Sequence, residues 1–418
     1  MDSTESRKTV RDLQKVLEIS RSMEAATDLD SLLGLIIDRG MELLEAERAS
    51  LFLYDSKTDE LVSRIAAGVQ EIRVPADRGF IGSAIKTGKT INVPDAYADP
   101  RFNPQVDRAT GFRTRNVLSV PLRDYQGQLV GVLQVLNKRS GSFGEYDVTL
   151  AETLGAQAGV ALQRARLIEH YLQKQQMERA MKIAQDIQQG LLPQRAPFCC
   201  GFDIAGISKP ADETGGDTFD FLQLPDGRWM LMVADATGHG IGPALVIAET
   251  RAMLRAVSLH GPDIPLVLET VNNLLVADLG DARFVTCFFG LMDPLRCRMA
   301  YASAGHGPLL FYDRQADAFR ELAATSLPLG IMEQTEYKEV GSFDFAPGDF
   351  AVITTDGVFE ATNAADEQFG IARMTQVLRR CRDLTAAGMI DALRVAVLEF
   401  AAGEPQADDI TAVIVRRK

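Results

Sequence analysis

The feature that most constrains the fold of this chain is a long proline-free stretch at residues 148–192. Its small and apolar residues recur at alternating steps of four and three, the spacing of a two-stranded coiled coil. A five-residue step between Leu172 and Met177 shifts the register once. The residues that set the spacing are Leu154, Ala158, Ala161, Ala165, Ile168 and Leu172, then Met177, Ala180, Ala184, Ile187 and Leu191. The stretch therefore predicts a helical coiled-coil linker and a homodimer; the alternative is a single helix packed on the domains of its own chain.

Length and composition indicate two globular domains, one on each side of this linker. The chain has 418 residues, 46% hydrophobic and 24% charged, and a single core rarely serves so long a chain. A formal net charge of -13 argues against nucleic-acid binding, which needs a basic face. No apolar run reaches the roughly 18–20 residues of a membrane span, and the N-terminus lacks a signal-peptide core. With five cysteines and no C-x-x-C pair, a cytoplasmic protein without zinc or disulfides is expected.

The upstream region is predicted to combine helices with a β-sheet. A helix at 29–45 is expected to be capped by Thr27 and Asp28. Its inward residues are predicted to be Leu32, Leu33, Ile36, Ile37 and Leu44. The other predicted elements are a helix at 10–23 (apolar at Val10, Leu13, Val16 and Leu17), strands at 49–54, 61–66, 117–121 and 129–137, a short helix at 79–87, an extended piece at 91–93 and a polar loop at 95–114.

The downstream region is predicted to alternate strands with pairs of helices. Its elements are a β-rich start at 201–211, a hairpin of 219–224 and 229–234, helices at 242–259 and 266–278, strands at 284–291, 298–303, 309–312, 337–345 and 350–355, helices at 371–381 and 385–402, and a last strand at 410–415. Strands, then a helix pair, then strands again predict an α/β sandwich with helices outside stacked sheets.

Acidic residues recur at the strand ends of this downstream region. Asp235 ends a buried apolar strand, and a glycine turn follows it into an apolar helix. Further acids are Asp217 after Gly215-Gly216, with Asp220 close behind, Asp356 in Thr355-Asp356-Gly357, and the pair Asp408-Asp409. An Asp-Gly step alone is first a turn signal. Several acids at strand ends within one domain instead predict oxygen ligands for a hard divalent cation.

The order and residue pattern of these motifs resemble those of the metal-dependent PPM serine/threonine phosphatases, in the bacterial sporulation and stress-response (SpoIIE-like) branch. The resemblance covers about residues 188–415. It rests on Gly215-Gly-Asp217 with Asp220, Asp235-Ala-Thr-Gly-His-Gly240, Ala304-Gly-His306, Thr355-Asp-Gly357 with Glu360-Ala-Thr-Asn363, Phe369-Gly370 and Asp408-Asp-Ile-Thr411. The resemblance implies an αββα sandwich and a catalytic site with two Mn²⁺ or Mg²⁺ ions.

The resemblance also implies a role for each acid. Asp235 would bridge both ions, helped by the carbonyl oxygen of Ala236. Asp356 and Asp408 would hold the second ion, and Asp217 would bind on the side of the first. Asp409 is a further candidate ligand, although Asp408 is preferred to it.

In such a site two cations about 3.5–4 Å apart clamp the phosphoryl group and lower the pKa of a bridging water, which attacks phosphorus in line. No protein nucleophile is required. His239 and His306 are candidates for protonating the leaving oxygen; the alternative is that each fixes a glycine turn by hydrogen bonding. No phosphate-clamping arginine is evident beside Asp217, so substrate affinity is expected to come from docking.

Residues 30–168 resemble a GAF domain, a small-molecule sensor module, through the segments 93–103, 114–122 and 131–138. The sequences of these segments are similar to those of the cyclic-nucleotide-binding branch, which carries an Asn-Lys…Phe-x-x-x-Asp-Glu signature. Val148 stands where that signature has Glu. The candidate ligand region is Asn116, Asn137, Lys138, Phe143 and Asp147. cAMP or cGMP is therefore a candidate ligand; a GAF domain used for dimerisation or for another ligand is the alternative.

The predicted fold class is thus α/β (α+β), with an N-terminal helix at 1–29, a GAF sensor domain at 30–147, the linker at 148–192 and a PPM phosphatase domain at 193–418. The predicted function is a sensor-regulated protein serine/threonine phosphatase. The resemblance implies a phosphorylated anti-sigma-factor antagonist as substrate, and the linker is expected to act on the helix pair at 242–278. A catalytically silent binding protein with the same fold is the alternative. A cyclic-nucleotide phosphodiesterase is disfavoured, since none of the four histidines lies in a His-Asp pair.

Overall fold

The computed structural model describes residues 3–55, 58–63, 72–280 and 283–418. The chain divides into two compact units, of which the first ends at Gln176 and the second begins at Met177. One helix, Glu145–Leu191, contains the boundary. The predicted long helix is therefore confirmed as a helix. Among the described residues, no helix combines the length and the apolar character that crossing a membrane requires.

The first unit is built on one antiparallel sheet of six strands in the order β3-β2-β1-β6-β5-β4. Its strands are β1 (Ala46–Asp55), β2 (Glu60–Ser63), β3 (Ile72–Pro75), β4 (Ile91–Val93), β5 (Val117–Arg123) and β6 (Leu129–Lys138). Its helices are α1 (Ser3–Ala25), α2 (Leu29–Leu43), α3 (Gly79–Thr87), α4 (Pro104–Thr110) and α5 (Glu145–Leu191), with a short 3-10 turn at Ala96–Ala98.

Helix α2 begins where the sequence predicts, because the Asp28 side chain accepts a hydrogen bond from the Ser31 amide at 2.8 Å. The five predicted inward residues, Leu32, Leu33, Ile36, Ile37 and Leu44, are all buried. They pack with α1, with the first half of α5 and with the sheet in one apolar core.

One upstream prediction differs from the structure, and another lies partly outside the described residues. The 95–114 segment is not only loop: Asn103 caps the Gln105 amide and Pro104 occupies the first turn, which starts α4. The helix predicted at 10–23 lies within α1, where Val16 is buried and Val10, Leu13 and Leu17 are exposed. The strand predicted at 61–66 corresponds to β2, and residues 64–66 lie outside the described residues.

The second unit contains two antiparallel sheets of five strands, ordered β14-β11-β10-β9-β8 and β13-β12-β15-β16-β7. Its strands are β7 (Phe202–Lys209), β8 (Asp217–Gln223), β9 (Trp229–Ala236), β10 (Val285–Asp293), β11 (Arg298–Ala304), β12 (Leu309–Asp313), β13 (Ala318–Leu322), β14 (Gly341–Asp344), β15 (Phe350–Thr354) and β16 (Ile410–Arg417). Its helices are α6 (Ile241–His260), α7 (Ile264–Leu279), α8 (Asp356–Phe359), α9 (Gly370–Arg380) and α10 (Ala386–Ala401).

Three apolar layers hold this unit together. An aromatic core that includes Phe288, Phe311 and Phe343 takes residues from both sheets. Apolar residues of α6 and α7 pack on the first sheet, and those of α9 and α10 pack on the second. This arrangement confirms the predicted sandwich with helices outside stacked sheets. The edge strand β13 was not predicted, because its half-exposed residues show no clean alternation.

Candidate metal centre

The hairpin of β8 and β9 places two carboxylates opposite each other. Register pairing runs from Gln223 with Trp229, beside the turn, to Asp217 with Asp235 at the open end. β9 is buried along most of its length, so its register cannot slip without exposing apolar residues. Like charges directly opposite on neighbouring strands are unfavourable. The fold therefore concentrates negative charge at this one end of the sheet.

Gly216 brings a ring of oxygen atoms to the same point. A Cβ atom at this glycine would lie 2.5 Å from the carbonyl oxygen of Ala236, 3.2 Å from that of Gly238 and 3.3 Å from Oδ1 of Asp235. A side chain would fill the space between these oxygens. The glycine is required by this close approach, and it leaves an oxygen-lined cradle next to the Asp235 carboxylate.

The second sheet contributes its own acids to this end of the sandwich. Asp356 is the first residue of α8 and is separated from the end of β15 by Thr355 alone. Asp408-Asp409 directly precedes β16, the neighbour of β15. The two sheets are joined here because the Thr355 hydroxyl donates to the Asp217 carboxylate at 2.7 Å. Asp217 and Asp235 of the first sheet thereby meet Asp356 and Asp408, at the ends of strands of the second.

Asp408 and Asp409 play different parts. Asp408 is exposed and Asp409 is 6% exposed. The Asp409 carboxylate accepts hydrogen bonds from the amides of Ala211 at 2.7 Å and Asp217 at 3.2 Å. These bonds fix the loop that leads into β8. Asp408 is therefore the freer of the two as a candidate ligand.

The pKa values of these acids are raised because the carboxylates are buried and close together. Burial and then the neighbouring Asp235 raise the pKa of Asp217 well above its usual range. Burial, followed by Asp356, Asp408 and Asp409, raises the pKa of Asp235 to about 7. The pKa of Asp356 is also raised, by burial and then by Asp408. Such a group of mutually repelling carboxylates favours a bound cation.

The donor set fits a hard cation that keeps part of its water. Among the described residues, no three His, Cys, Asp or Glu side chains are arranged so that they alone could hold a metal ion. Mg²⁺ commonly binds through one or two carboxylates and retains several waters. Carboxylates supplemented by the carbonyl oxygen of Ala236 match that chemistry better than they match zinc, which prefers nitrogen and sulfur.

Asp220 does not join the acidic cluster. It is 1% exposed and pairs with Arg251 at 2.9 Å and Arg255 at 2.6 Å, both on α6. A buried carboxylate with two arginine partners fixes the helix on the sheet. Since α6 starts just after the Asp235 turn, this contact positions the element that follows the site.

The two candidate histidines differ in their surroundings. The His239 side chain is 83% exposed and its Nδ1 lies 3.0 Å from the Asp212 carboxylate. His306 is buried, its Nδ1 lies 3.0 Å from the Thr286 hydroxyl, and burial lowers its pKa to about 4. His306 is therefore uncharged near neutral pH, which supports its structural interpretation over a role as proton donor.

Gln188, near the end of α5, binds the loop before Asp217. Its side-chain amide donates to the Gly215 carbonyl at 2.6 Å and accepts from the Gly215 amide at 3.1 Å. Sequence analysis missed this contact, because glutamine in a polar helix carries no signal of a specific partner. The loop between Ala211 and Asp217 is thus held from two sides, by Gln188 and by Asp409.

The candidate sensor residues of the first unit form one hydrogen-bonded group. The Asn137 carboxamide bonds to the Arg115 amide at 2.6 Å and to Glu47 at 2.9 Å. Lys138 pairs with Asp147 at 2.7 Å. The remaining contacts are Asn116 to the Gly141 carbonyl and the Lys138 amide, and Lys138 over the Phe143 ring at 5.8 Å. The fold itself accounts for the polar groups of this signature.

Comparison with known proteins agrees with this division of the chain. Residues 225–418 match the family model described as stage II sporulation protein E, SpoIIE, and residues 28–162 match the GAF domain model. Asp217 lies upstream of the first match. The SiaA-PP2C domain of Pseudomonas aeruginosa has a similar fold, with 22% identity and a TM-score of 0.53 over 59% of this chain and 98% of that domain.

Two curated relatives are cyclic-nucleotide enzymes. A probable 3',5'-cyclic phosphodiesterase of Caenorhabditis elegans is 31% identical over 179 residues, 39% of this chain and 24% of that protein. A cGMP-specific 3',5'-cyclic phosphodiesterase of Drosophila ananassae is 31% identical over 191 residues, 41% of this chain and 16% of that protein. The chain thus spans a quarter or less of the length of these relatives. The first unit of the chain therefore contains a GAF domain, and the second is a SpoIIE-type domain with the αββα fold of a PP2C domain.

Proposed function

We propose that this chain is a cytoplasmic, GAF-regulated protein serine/threonine phosphatase that depends on two Mn²⁺ or Mg²⁺ ions. The observation that carries the proposal is the meeting of Asp217, Asp235, Asp356 and Asp408 at one edge of the sandwich, with raised pKa values at three of them. The match to the SpoIIE family supports the same reaction class.

In this proposal each residue has a defined task. Asp217, Asp235, Asp356 and Asp408, with the carbonyl oxygen of Ala236, would hold the ions. When bound, the two ions would supply Lewis acidity and a water of lowered pKa for attack on phosphorus. Thr355 orients the Asp217 carboxylate through its hydroxyl. The buried carboxylate of Asp409 keeps the loop before Asp217 in place rather than contacting substrate.

The proposed substrate is a phosphoserine or phosphothreonine on a protein, specifically a phosphorylated anti-sigma-factor antagonist. The SpoIIE-type match supports this class of partner. The exposure of Asp408 and His239 also supports it, since the rim of the site is open to a segment of another protein.

The proposed regulation passes from the GAF domain through α5 to the site. Gln188 of α5 holds Gly215, two residues before Asp217, and α6 starts directly after the Asp235 turn. A change in α5 could therefore shift the balance between an assembled and an open metal site. Leu172, Met177 and Ile187 of α5 are exposed, which supports a homodimer formed through this helix.

The direct test is manganese-dependent hydrolysis of a phosphoserine protein. We expect the wild-type chain to release phosphate with Mn²⁺ and to be inactive with a chelator. Asp356→Asn should abolish the activity, because it removes the carboxylate that Asp408 faces. Metal binding without turnover in the wild type would instead favour the catalytically silent binding protein.

A second prediction concerns the sensor. If the GAF domain binds a cyclic nucleotide, cAMP or cGMP should change the phosphatase rate of the full chain severalfold. The phosphodiesterase relatives motivate the choice of these two ligands. The measurement is the rate with each nucleotide against the same concentration of AMP and GMP. No change with either cyclic nucleotide, and no binding by calorimetry, would remove the nucleotide as the ligand.

A further inference from the structure

An arginine that sequence analysis did not single out lies beside the Asp235 turn. Arg283 is exposed. The atoms of its guanidinium lie 3.6 to 3.9 Å from the position of a Cβ on Gly242, in the first turn of α6. Its cationic group therefore lies at the first turn of α6, the helix that follows the Asp235 turn.

Strand pairing determines this placement. β10 pairs with β9 so that Thr286 faces Asp235 and Val285 faces Ala236. Beyond the paired residues, the Thr237 amide donates to the Phe284 carbonyl at 3.1 Å, and the Phe284 amide donates to the Thr237 hydroxyl at 3.3 Å. Arg283 thus emerges next to the glycine turn, two positions before β10 begins.

The charge of the site gives such a cation a purpose. A phosphate monoester is an anion that must approach several aspartates, and arginine side chains, like metal ions, stabilise the charge of a phosphoryl group. The two arginines of α6, Arg251 and Arg255, already pair with the buried Asp220. Among the residues that the structure describes, no carboxylate is paired with Arg283, and its fork of N–H donors suits two phosphate oxygens.

We propose that Arg283 is a binding residue for the phosphoryl group of the substrate, reaching its oxygens from the α6 side while the aspartates face it from the ends of the strands. The inference rests on the proposed phosphatase function and deepens it. It assigns part of the substrate affinity to a charge contact at the site, whereas the sequence alone predicted that this affinity comes from docking.

The experiment compares wild type with Arg283→Ala, Arg283→Lys and the control Arg296→Ala, an exposed arginine in the turn between β10 and β11. With saturating Mn²⁺, KM for p-nitrophenyl phosphate and for a phosphoserine protein, and the inhibition constant of inorganic phosphate, should rise about tenfold to a hundredfold in Arg283→Ala. Arg283→Lys should recover part of the loss, and Arg296→Ala should behave as wild type. The Mn²⁺ concentration for half-maximal activity and the Tm should not change.

Calorimetric binding of inorganic phosphate to the Mn²⁺-loaded protein separates this proposal from the proposed function. Phosphate binding that weakens in Arg283→Ala supports the arginine even if the wild type hydrolyses nothing, an outcome that would refute only the phosphatase. Equal phosphate binding by wild type and Arg283→Ala, or no binding by the wild type, overturns the proposal. So does a hydrolase whose KM is indifferent to Arg283.

Discussion

Replacing Asp235 with asparagine is expected to lower kcat of Mn²⁺-dependent phosphoserine hydrolysis by at least about a thousandfold, which corresponds to about 4 kcal/mol. Asparagine has nearly the same shape, so the hairpin of β8 and β9 can still form. The substitution removes the negative charge of Asp235, which lies opposite Asp217 in the hairpin. The same charge lies beside the Ala236 carbonyl oxygen, next to Gly216. If Asp235 is a ligand of both proposed ions, its replacement should weaken the binding of both.

The matched control for this variant is Asp226→Asn, in the turn at the other end of the same hairpin. Asp226 pairs with Arg228 at the surface, at 2.7 Å, and exposed pairs of this kind contribute little to stability. Its rate should stay within about twofold of wild type. Mn²⁺ titration followed by calorimetry should show weaker binding only in Asp235→Asn. If Asp235→Asn kept more than a tenth of the activity, Asp235 could not be the bridging ligand.

Much of this site could be predicted from the sequence because local rules place most of its parts. The apolar run of β9 and the turn before it fix the hairpin, which brings Asp217 and Asp235 together from residues close in sequence. Asp356 and Asp408 each lie next to an apolar strand, so their position at a strand end could also be predicted from the sequence. The family resemblance then indicated that these strand ends meet.

Contacts between elements that are distant in sequence could not be predicted. Gln188 reaches Gly215 from a helix, and Arg283 lies by the Asp235 turn only because β10 pairs with β9. Asp220 looked like one more member of the acidic set, yet it faces the arginines of α6. Alternation explains the difference: residues three apart on a strand point to opposite faces, so Asp217 and Asp220 serve different sides of the sheet.

The stability of the metal-free protein should depend on pH because of the same cluster of carboxylates. The pKa of Asp235 is raised to about 7 in the folded chain, whereas the unfolded carboxyl titrates near its ordinary value, about 3.9. Between those values the folded state holds a proton that the unfolded state has lost, so stability falls as the pH rises. Between pH 5 and pH 8 the loss from Asp235 is on the order of 2 to 3 kcal/mol.

His306 changes the stability in the opposite direction, because its pKa is lowered to about 4 in the folded chain. Its contribution to the stability of the folded state therefore grows as the pH rises toward the unfolded pKa, near 6.5. A difference between two proteins removes this effect, since wild type and Asp235→Asn share His306. Without metal, the free energy of unfolding of Asp235→Asn minus that of wild type should be about 2 to 3 kcal/mol larger at pH 8 than at pH 5. Urea unfolding in the presence of a chelator measures both values. Saturating Mn²⁺ should reverse the order at pH 8, because only wild type gains the full binding energy. A difference that is the same at both pH values would mean that Asp235 ionises normally, and that its neighbours do not form the crowded anionic site from which metal binding is inferred.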